Sequence, residues 1–374
     1  MPRKIAAITS SRADYSHLYW VLRELSEHPE IDLQLIAMGP HLSPEFGSTV
    51  REIEFPIADR IECLLSSDTD VGMAKTIGVA VLGLADCLDR MRPDLLLIIA
   101  DRYEMLAPAA VALAMRIPIA HIEGGEISEG AIDDAVRNAL TKLSHVHFTS
   151  TERARARVIA MGEEPWRVHR AGAPSLDHLR KSKLLERAEV ESSLEIDLAV
   201  PPALVAFHPT TIARDTNREA DALFGALSAM DGPLVFCYPN ADAGSRELIK
   251  KIGDFRVFVN LDPILYWSLL RCCEMTIGNS SSGVMEAASF GLPTIDVGIR
   301  QQGRERGRNV LTTPADAKAI LGAVAQARDE NFRNSLKGMA NLYGDGHASE
   351  RIVQVLSTVT LGEALLHKAS SPNS

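Results

Sequence analysis

Cysteine, positive charge and long apolar runs are all scarce in this sequence. Five cysteines are scattered through 374 residues: Cys63, Cys87, Cys237, Cys272 and Cys273. None has metal-ligand spacing, and the neighbours Cys272 and Cys273 are too close for an ordinary disulfide. Neither a metal centre nor a disulfide scaffold is expected, and a reduced cytoplasm fits best. The formal net charge is −10. Phosphate backbones and anionic lipids need a basic surface, which argues against nucleic acid and membrane as main partners. No apolar run reaches the length of a membrane span. The start, MPRKIAAITSSRADY, turns polar by Thr9 and reads as a first strand rather than a signal peptide. No glycine-rich dinucleotide fingerprint follows that strand, which weakens a nicotinamide reading, and no cofactor is expected. Low-complexity segments and short repeats are absent too.

What is there is alternation. Nearly continuous apolar runs at Lys4–Thr9, Asp32–Met38, Asp94–Ala100, Ile117–Ile122 and Val146–Ser150 read as parallel strands buried on both faces. Amphipathic stretches lie between them. The pattern blurs over RKSKLLERAEVE, and Pro201-Pro202 follows. A second series then runs through Leu204–His208, Leu234–Tyr238, Arg256–Asn260, Met275–Ile277 and Thr294–Val297. The expectation is two doubly wound α/β domains, residues 1–180 and 181–366, facing a cleft, with 367–374 as a disordered tail. Ligands of such sheets bind outside the carboxyl ends of the strands, so the residues just after strands carry the chemistry.

At those positions each motif admits a plain reading and a functional one. TIGNSSSGVMEAASFGLP runs from a strand into Gly278–Gly283 and then a helix. Its serines can cap, its backbone N–H groups and the helix dipole favour an anion, and Glu286 lies about one turn in, within reach of a sugar hydroxyl. A capped tight turn explains it equally well. Arg300 to Arg308 carries four arginines in an acidic protein, either a solvated loop or a phosphate clamp. Arg12, in Ser10-Ser11-Arg12-Ala13-Asp14-Tyr15, follows the first strand and is either a surface arginine or a phosphate contact. Asp101 follows the buried run LLLIIA, as a helix cap or as a catalytic carboxylate. In HIEGGEISEGAIDDAVRNAL, His121, Glu123 and Glu126 bracket Gly124-Gly125. Asp133 and Arg137 fall four apart on one helix face, as in an ordinary surface ion pair. Carboxylates converging at neighbouring strand ends without metal spacing suggest acid–base chemistry. His208 and Asn240 end two strands of the second half, and each is ambiguous alone.

Together SSRADYSHL, GPHLSPEFG, DRYEML, HIEGGE with its downstream IDDAVR, FHPTT, YPNAD, and GNSSSG with its downstream RQQGR resemble the UDP-N-acetylglucosamine 2-epimerase family, its hydrolysing branch in particular. The resemblance covers nearly the whole chain. It implies two Rossmann-like domains of glycosyltransferase-B type, with the nucleotide mainly on the second domain. It implies that Asp101 and Glu123 are the acid–base carboxylates, that Asp133 and Arg137 complete the sugar site, and that His208 lies near the leaving diphosphate. Ser281 and Ser282 would hold phosphate, Glu286 the ribose, and Arg12 the diphosphate. The other motif residues Asp14, Glu126, Asn240, Asn279, Gly283, Arg300 and Arg304 complete the expected substrate-binding set. The implied reaction removes the C2 proton, expels the nucleoside diphosphate to leave a 2-acetamidoglucal, and hydrates it to the free 2-epimer. N-acetylmannosamine from UDP-N-acetylglucosamine is the first expectation. A UDP- or GDP-linked 2,4-diacetamido-6-deoxy sugar is the alternative, ahead of a non-hydrolysing epimerase or a glycosyltransferase. The family also suggests a homodimer or homotetramer.

Overall fold

The computed structural model describes residues 2–65, 69–129, 131–210, 217–237, 245–253, 255–258 and 261–369. They form two compact units. The first comprises the chain up to Glu126, Asp133–Asp177 and the segment from Tyr343 onward; the second comprises Ile127–Ile132 and His178–Leu342. One cut near residue 180 therefore does not separate them. The helix Ala348–Thr358 belongs to the first unit, where Asp177 accepts from the backbone N–H groups of Ala348 (2.9 Å) and Ser349 (2.8 Å).

The first unit holds a parallel sheet of seven strands in the order β3-β2-β1-β4-β5-β6-β7. These are β1 Arg3–Thr9, β2 Ile31–Met38, β3 Ile57–Ile61, β4 Leu95–Ile99, β5 Ile119–Ile122, β6 Val146–Thr149 and β7 Val168–Arg170. The second holds six parallel strands in the order β10-β9-β8-β11-β12-β13: β8 Ala203–Ala206, β9 Leu234–Cys237, β10 Val257–Phe258, β11 Met275–Gly278, β12 Thr294–Val297 and β13 Val310–Thr313. Both orders reverse direction once, between β1 and β4 and between β8 and β11. Those are the switch points where a doubly wound sheet opens its crevice. Central strands such as β4 (LLLII) are wholly buried, which is why they read as unbroken apolar runs. The strands missed by sequence, β3, β7 and β13, all lie at sheet edges. Edge strands are short and half-exposed, so they lack the apolar signal.

Helices cover the sheets, among them α1 (Arg12–Glu27), α2 (Asp70–Met91), α3 (Leu106–Ala114) and α4 (Asp133–Leu143) in the first unit. One finding corrects the sequence analysis. The best window of α2 has a mean hydropathy of 1.6, long and apolar enough by length and composition to cross a membrane. In the fold, Thr76, Ala80, Leu84, Cys87 and Leu88 are buried at steps of three and four, while Lys75, Asp86, Asp89 and Arg90 lie on the exposed side. This is the pattern of a core helix with one face inward.

Two buried histidines give the first unit an acid limit. Burial holds the pKa of both His41 and His121 down, from 6.5 to about 4. Between those values the unfolded chain binds protons that the native chain refuses. Their contribution is therefore complete above pH 6.5 and is lost as pH falls toward 4. Each forfeits up to ~3 kcal/mol over that interval. Thermal melts across pH 7.5 to 4.5 should show Tm falling steeply below about 6.5. A flat profile would mean that burial holds neither pKa below its unfolded value.

Candidate active site

Asp101 follows β4 and Glu123 follows β5, strands paired through Ile99 and Ile122, so the two carboxylates leave neighbouring strand ends. Both turns are strained. Ala100, just before Asp101, has φ +59°, and Glu123 itself has φ +66°. A side-chain-bearing residue there costs about 1–2 kcal/mol, and such strain persists where the surroundings enforce it. His121 supplies part of that enforcement. Its Nε2–H donates to the Ala100 carbonyl (2.8 Å), which holds the turn that aims Asp101. A carbonyl can only accept, so the ring is the Nε2–H tautomer. His121 is a structural residue, as its burial suggests.

Glu123 is 6% exposed, and its N–H donates to the Phe148 carbonyl at 2.7 Å. Gly125 follows with φ +80°, and a Cβ there would stand 2.4 Å from the Ala154 carbonyl oxygen. Only glycine allows the chain to turn that closely over the helix Glu152–Ala160. Arg137, 1% exposed, reaches back from α4 to pair with Asp101 and donates to the Glu126 carbonyl at 2.9 Å. In its own helix it lies 3.8 Å from Asp134. The helical spacing suggested a surface partner in Asp133, but the fold joins Arg137 to the strand-end carboxylate. Asp133 opens α4 and is half-buried. Glu126 is buried beside the same turn.

The loop after β1 is built around Asp14. Its Oδ2 accepts from Ser10 N (3.0 Å), Ser10 Oγ (2.5 Å) and Ser11 N (3.1 Å), and its Oδ1 accepts from Ser11 Oγ (3.0 Å). Asp14, named among the expected ligand groups, braces the turn that presents Arg12 at the start of α1. Further along α1, His17 Nδ1 lies 3.1 Å from Glu123 Oε1. Sequence reasoning stopped at Arg12 and Asp14. The signal for His17 was its place, less than two turns beyond Arg12 in SSRADYSHL.

In the second unit, Asn279 also proves to be internal. It is 1% exposed; its Oδ1 accepts from His208 N (2.7 Å) and its Nδ2 donates to His208 O (2.9 Å). Its own carbonyl accepts from Arg300 (3.1 Å) and Gln301 (2.9 Å). It thus clips together three strand ends, and it fixes the backbone of His208. The helix after β11 is short, Ser281–Met285, followed by a 3-10 turn to Phe290. Gly283 packs against protein: a Cβ would stand 3.0–3.1 Å from Thr294 and Thr276. Its missing side chain permits close helix–sheet packing rather than phosphate approach. Ser282 donates to the Glu286 carboxylate and lies 2.5 Å from the Tyr266 hydroxyl. Burial pushes the Tyr266 phenol well above its usual range, so it stays protonated. Ser281 and Ser282 are half-buried at the mouth of this turn.

The arginine loop divides its labour. Arg306 binds Asp296 Oδ2 through Nη2 (2.8 Å) and Nε (3.1 Å), shaping the loop from within. Arg304, 7% exposed, donates to the Ile127 carbonyl (3.3 Å), while Arg300 is 8% exposed and Arg308 is in solvent. Asn240 lies outside the described residues. Among the described residues no cluster of His, Cys, Asp and Glu has a metal-binding arrangement.

A sequence profile of the UDP-N-acetylglucosamine 2-epimerase family matches residues 23–357. The chain is 35% identical to the UDP-N,N'-diacetylbacillosamine 2-epimerase (hydrolyzing) of Legionella pneumophila, over 99% of this chain and 100% of that one. It is 34% identical to the GDP/UDP-N,N'-diacetylbacillosamine 2-epimerase (hydrolyzing) of Campylobacter jejuni, covering 98% of both. It is likewise 34% identical to a UDP-N-acetylglucosamine 2-epimerase of Neisseria meningitidis, over 87% of each. Among solved structures, a Neisseria meningitidis UDP-GlcNAc 2-epimerase bound to UDP-GlcNAc superposes with a TM-score of 0.79 at 18% identity, covering 94% of this chain and 99% of that one. The fold is accordingly of glycosyltransferase-B type.

Proposed function

The chain belongs to the UDP-N-acetylglucosamine 2-epimerase family and is an epimerase acting on a nucleotide sugar, and from that premise we propose which donor it takes and how its residues divide the work. The donor is a nucleotide-linked 2,4-diacetamido-2,4,6-trideoxy sugar, and the products are the free 2-epimer and a nucleoside diphosphate. The observation that carries this reading is that two relatives, each matched over at least 98% of the chain, are named for that substrate. UDP-N-acetylglucosamine is the second reading, supported by the meningococcal relative at equal identity. A nucleotide-sugar substrate fits a cytoplasmic enzyme.

Asp101 and Glu123 do the proton transfers at C2. One removes the proton, and the electron pair left behind expels the diphosphate from C1. Water then gives its hydroxyl to C1 while the other carboxylate returns a proton to C2 on the opposite face. Arg137 pairs with Asp101 and keeps it aimed. On the second unit the half-buried serines, His208, Arg300 and Arg304 hold the departing charge. C2–H is a poor acid, so proton transfer alone does not suffice, and stabilising the departing charge lowers the barrier further. Glu286, oriented by Ser282, accepts from the ribose.

Incubation with each donor in D₂O, followed by proton NMR, tests the reading. Free 2-epimer carrying deuterium at C2, with released UDP or GDP, is expected from the diacetamido donor. Epimer still attached to its nucleotide would mean a non-hydrolysing enzyme. Turnover of UDP-N-acetylglucosamine alone would select the second reading.

The same proposal includes a homodimer through α2. Its outer face exposes Val71 (63%), Val79 (40%) and Leu82 (72%), and Leu113 of the neighbouring α3 adds 50%. Solvent-facing apolar stripes of this kind mark interfaces. The face is self-complementary. In an antiparallel pair about a two-fold near residue 80, Lys75 meets Asp86 of the partner subunit and Val79 meets its Leu82. Light scattering should give twice the chain mass for the wild type and the single-chain mass for Leu82→Glu. A wild-type monomer at micromolar concentration would sink this surface.

A further inference from the structure

We propose that His17 is the group that recharges Glu123 with solvent between turnovers. The inference rests on the reading of Glu123 as one of the two acid–base carboxylates.

The chemistry demands such a group. Inverting C2 with two carboxylates leaves both in the wrong state: the base ends protonated and the acid ends ionised. Water supplies the hydroxyl at C1 and releases one proton, so the reaction itself balances without restoring either group. Whichever part Glu123 plays, it must exchange one proton with solvent before the next donor can react. Its own side chain is 8% exposed, in a strained turn between two strand ends, which is a poor position for that exchange.

His17 is placed to carry it. Its Nδ1 lies 3.1 Å from Glu123 Oε1, and its side chain is 21% exposed. An ordinary histidine titrates near neutrality, so it can take and give a proton at working pH. If Glu123 ends protonated, the proton passes from Oε1 to Nδ1, and the imidazolium loses its other proton, from Nε2, to water. If Glu123 ends ionised, the same steps run backward. The nearest rival is His121, whose charge balance also feels Glu123. It is fully buried, spends Nε2 on the Ala100 carbonyl, and has no contact with solvent. His17 touches no reacting atom in this account. It is a positioning and relay residue that acts through Glu123.

His17→Asn separates relay from support, because the Asn amide can still donate to Oε1 but cannot pass a proton on. The experiment compares single-turnover and steady-state rates of whole enzyme, wild type and variant, on the donor that the wild type turns over. In His17→Asn the first turnover should stay within about threefold of wild type while steady-state kcat falls at least about tenfold, leaving a burst near one product per site. His17→Ala should regain steady-state rate on adding imidazole. An unchanged kcat, or a first turnover slowed as much as kcat, would overturn the relay. A wild type that turns over none of the donors would remove the underlying reading of Glu123 instead, and the relay with it.

Discussion

Glu123→Gln and Asp101→Asn each bind a nucleoside diphosphate and turn over no donor. A positioned general acid or base is worth about 10²–10⁴-fold, and here each carboxylate acts at a carbon that is barely acidic. The loss in kcat should therefore reach at least the upper end of that range. The two variants should differ in stability. Gln in place of Glu123 can still accept a hydrogen bond from His17, so its melting temperature should stay near wild type. Asn in place of Asp101 strips the charge partner from Arg137, a guanidinium 1% exposed that retains the Glu126 carbonyl and the more distant Asp134. Leaving a buried charge without its carboxylate costs about 3–5 kcal/mol. Partial exposure of Asp101, whose side chain is 19% accessible, should bring this case below that range. Calorimetric titration with UDP and GDP should find binding within a few-fold of wild type for both, since the serine turn and Glu286 are built within the second unit. Normal turnover in either variant would remove that residue from the mechanism.

The unequal reach of sequence reasoning has physical causes. Central strands and the residues after them were legible, because burial on both faces imposes an unbroken apolar run and a doubly wound sheet places its ligands at strand ends. Asp101, Glu123, Ser281, Ser282 and Glu286 are nominated by that rule and by motif resemblance, and what the fold adds is where they stand: after β4, β5 and β11. Pairings across elements were not legible. Helical arithmetic sees only the neighbours of Arg137 within α4, whereas its carboxylate stands at the end of β4. The same blindness hid His17, which meets Glu123 from another helix across 106 residues of chain. For Asp14 and Asn279 the loop was legible, but the hydrogen bonds that each makes within it were not. A short polar side chain after a strand can face a ligand or its own backbone, and only the fold shows that both face inward. The return of the helix Ala348–Thr358 to the first unit left no trace in local periodicity. It depends on Asp177 accepting from Ala348 and Ser349 far along the chain.

Gly278→Ala should abolish nucleotide binding and leave little folded protein, although it adds one methyl group. Gly278 ends β11 with φ +140°, a conformation closed to side-chain-bearing residues, and the added Cβ would stand 2.0 Å from the Ala206 carbonyl oxygen. That oxygen belongs to β8, the neighbouring strand, and also accepts from Asn279 N at 3.1 Å. Relief requires β8 and β11 to part at the switch point of the sheet. Parting them breaks the Asn279 clip on His208, and with it the anchor that Arg300 and Gln301 find on the Asn279 carbonyl. Backbone strain and the lost hydrogen bonds together should exceed ~4 kcal/mol, a large share of the stability of an ordinary domain. Gly322→Ala is the matched control. Gly322 lies within the helix Ala317–Arg328 with no atom within 4 Å of an added Cβ. There the same methyl group should stabilise by about 0.5–1 kcal/mol through helix propensity. Thermal melts and UDP titration of the two variants should therefore move in opposite directions for stability, with binding lost only at Gly278. A Gly278→Ala protein that melts near wild type and binds UDP would show that the strand ends can part without cost, and that the Asn279 clip does not hold the serine turn and His208 in place.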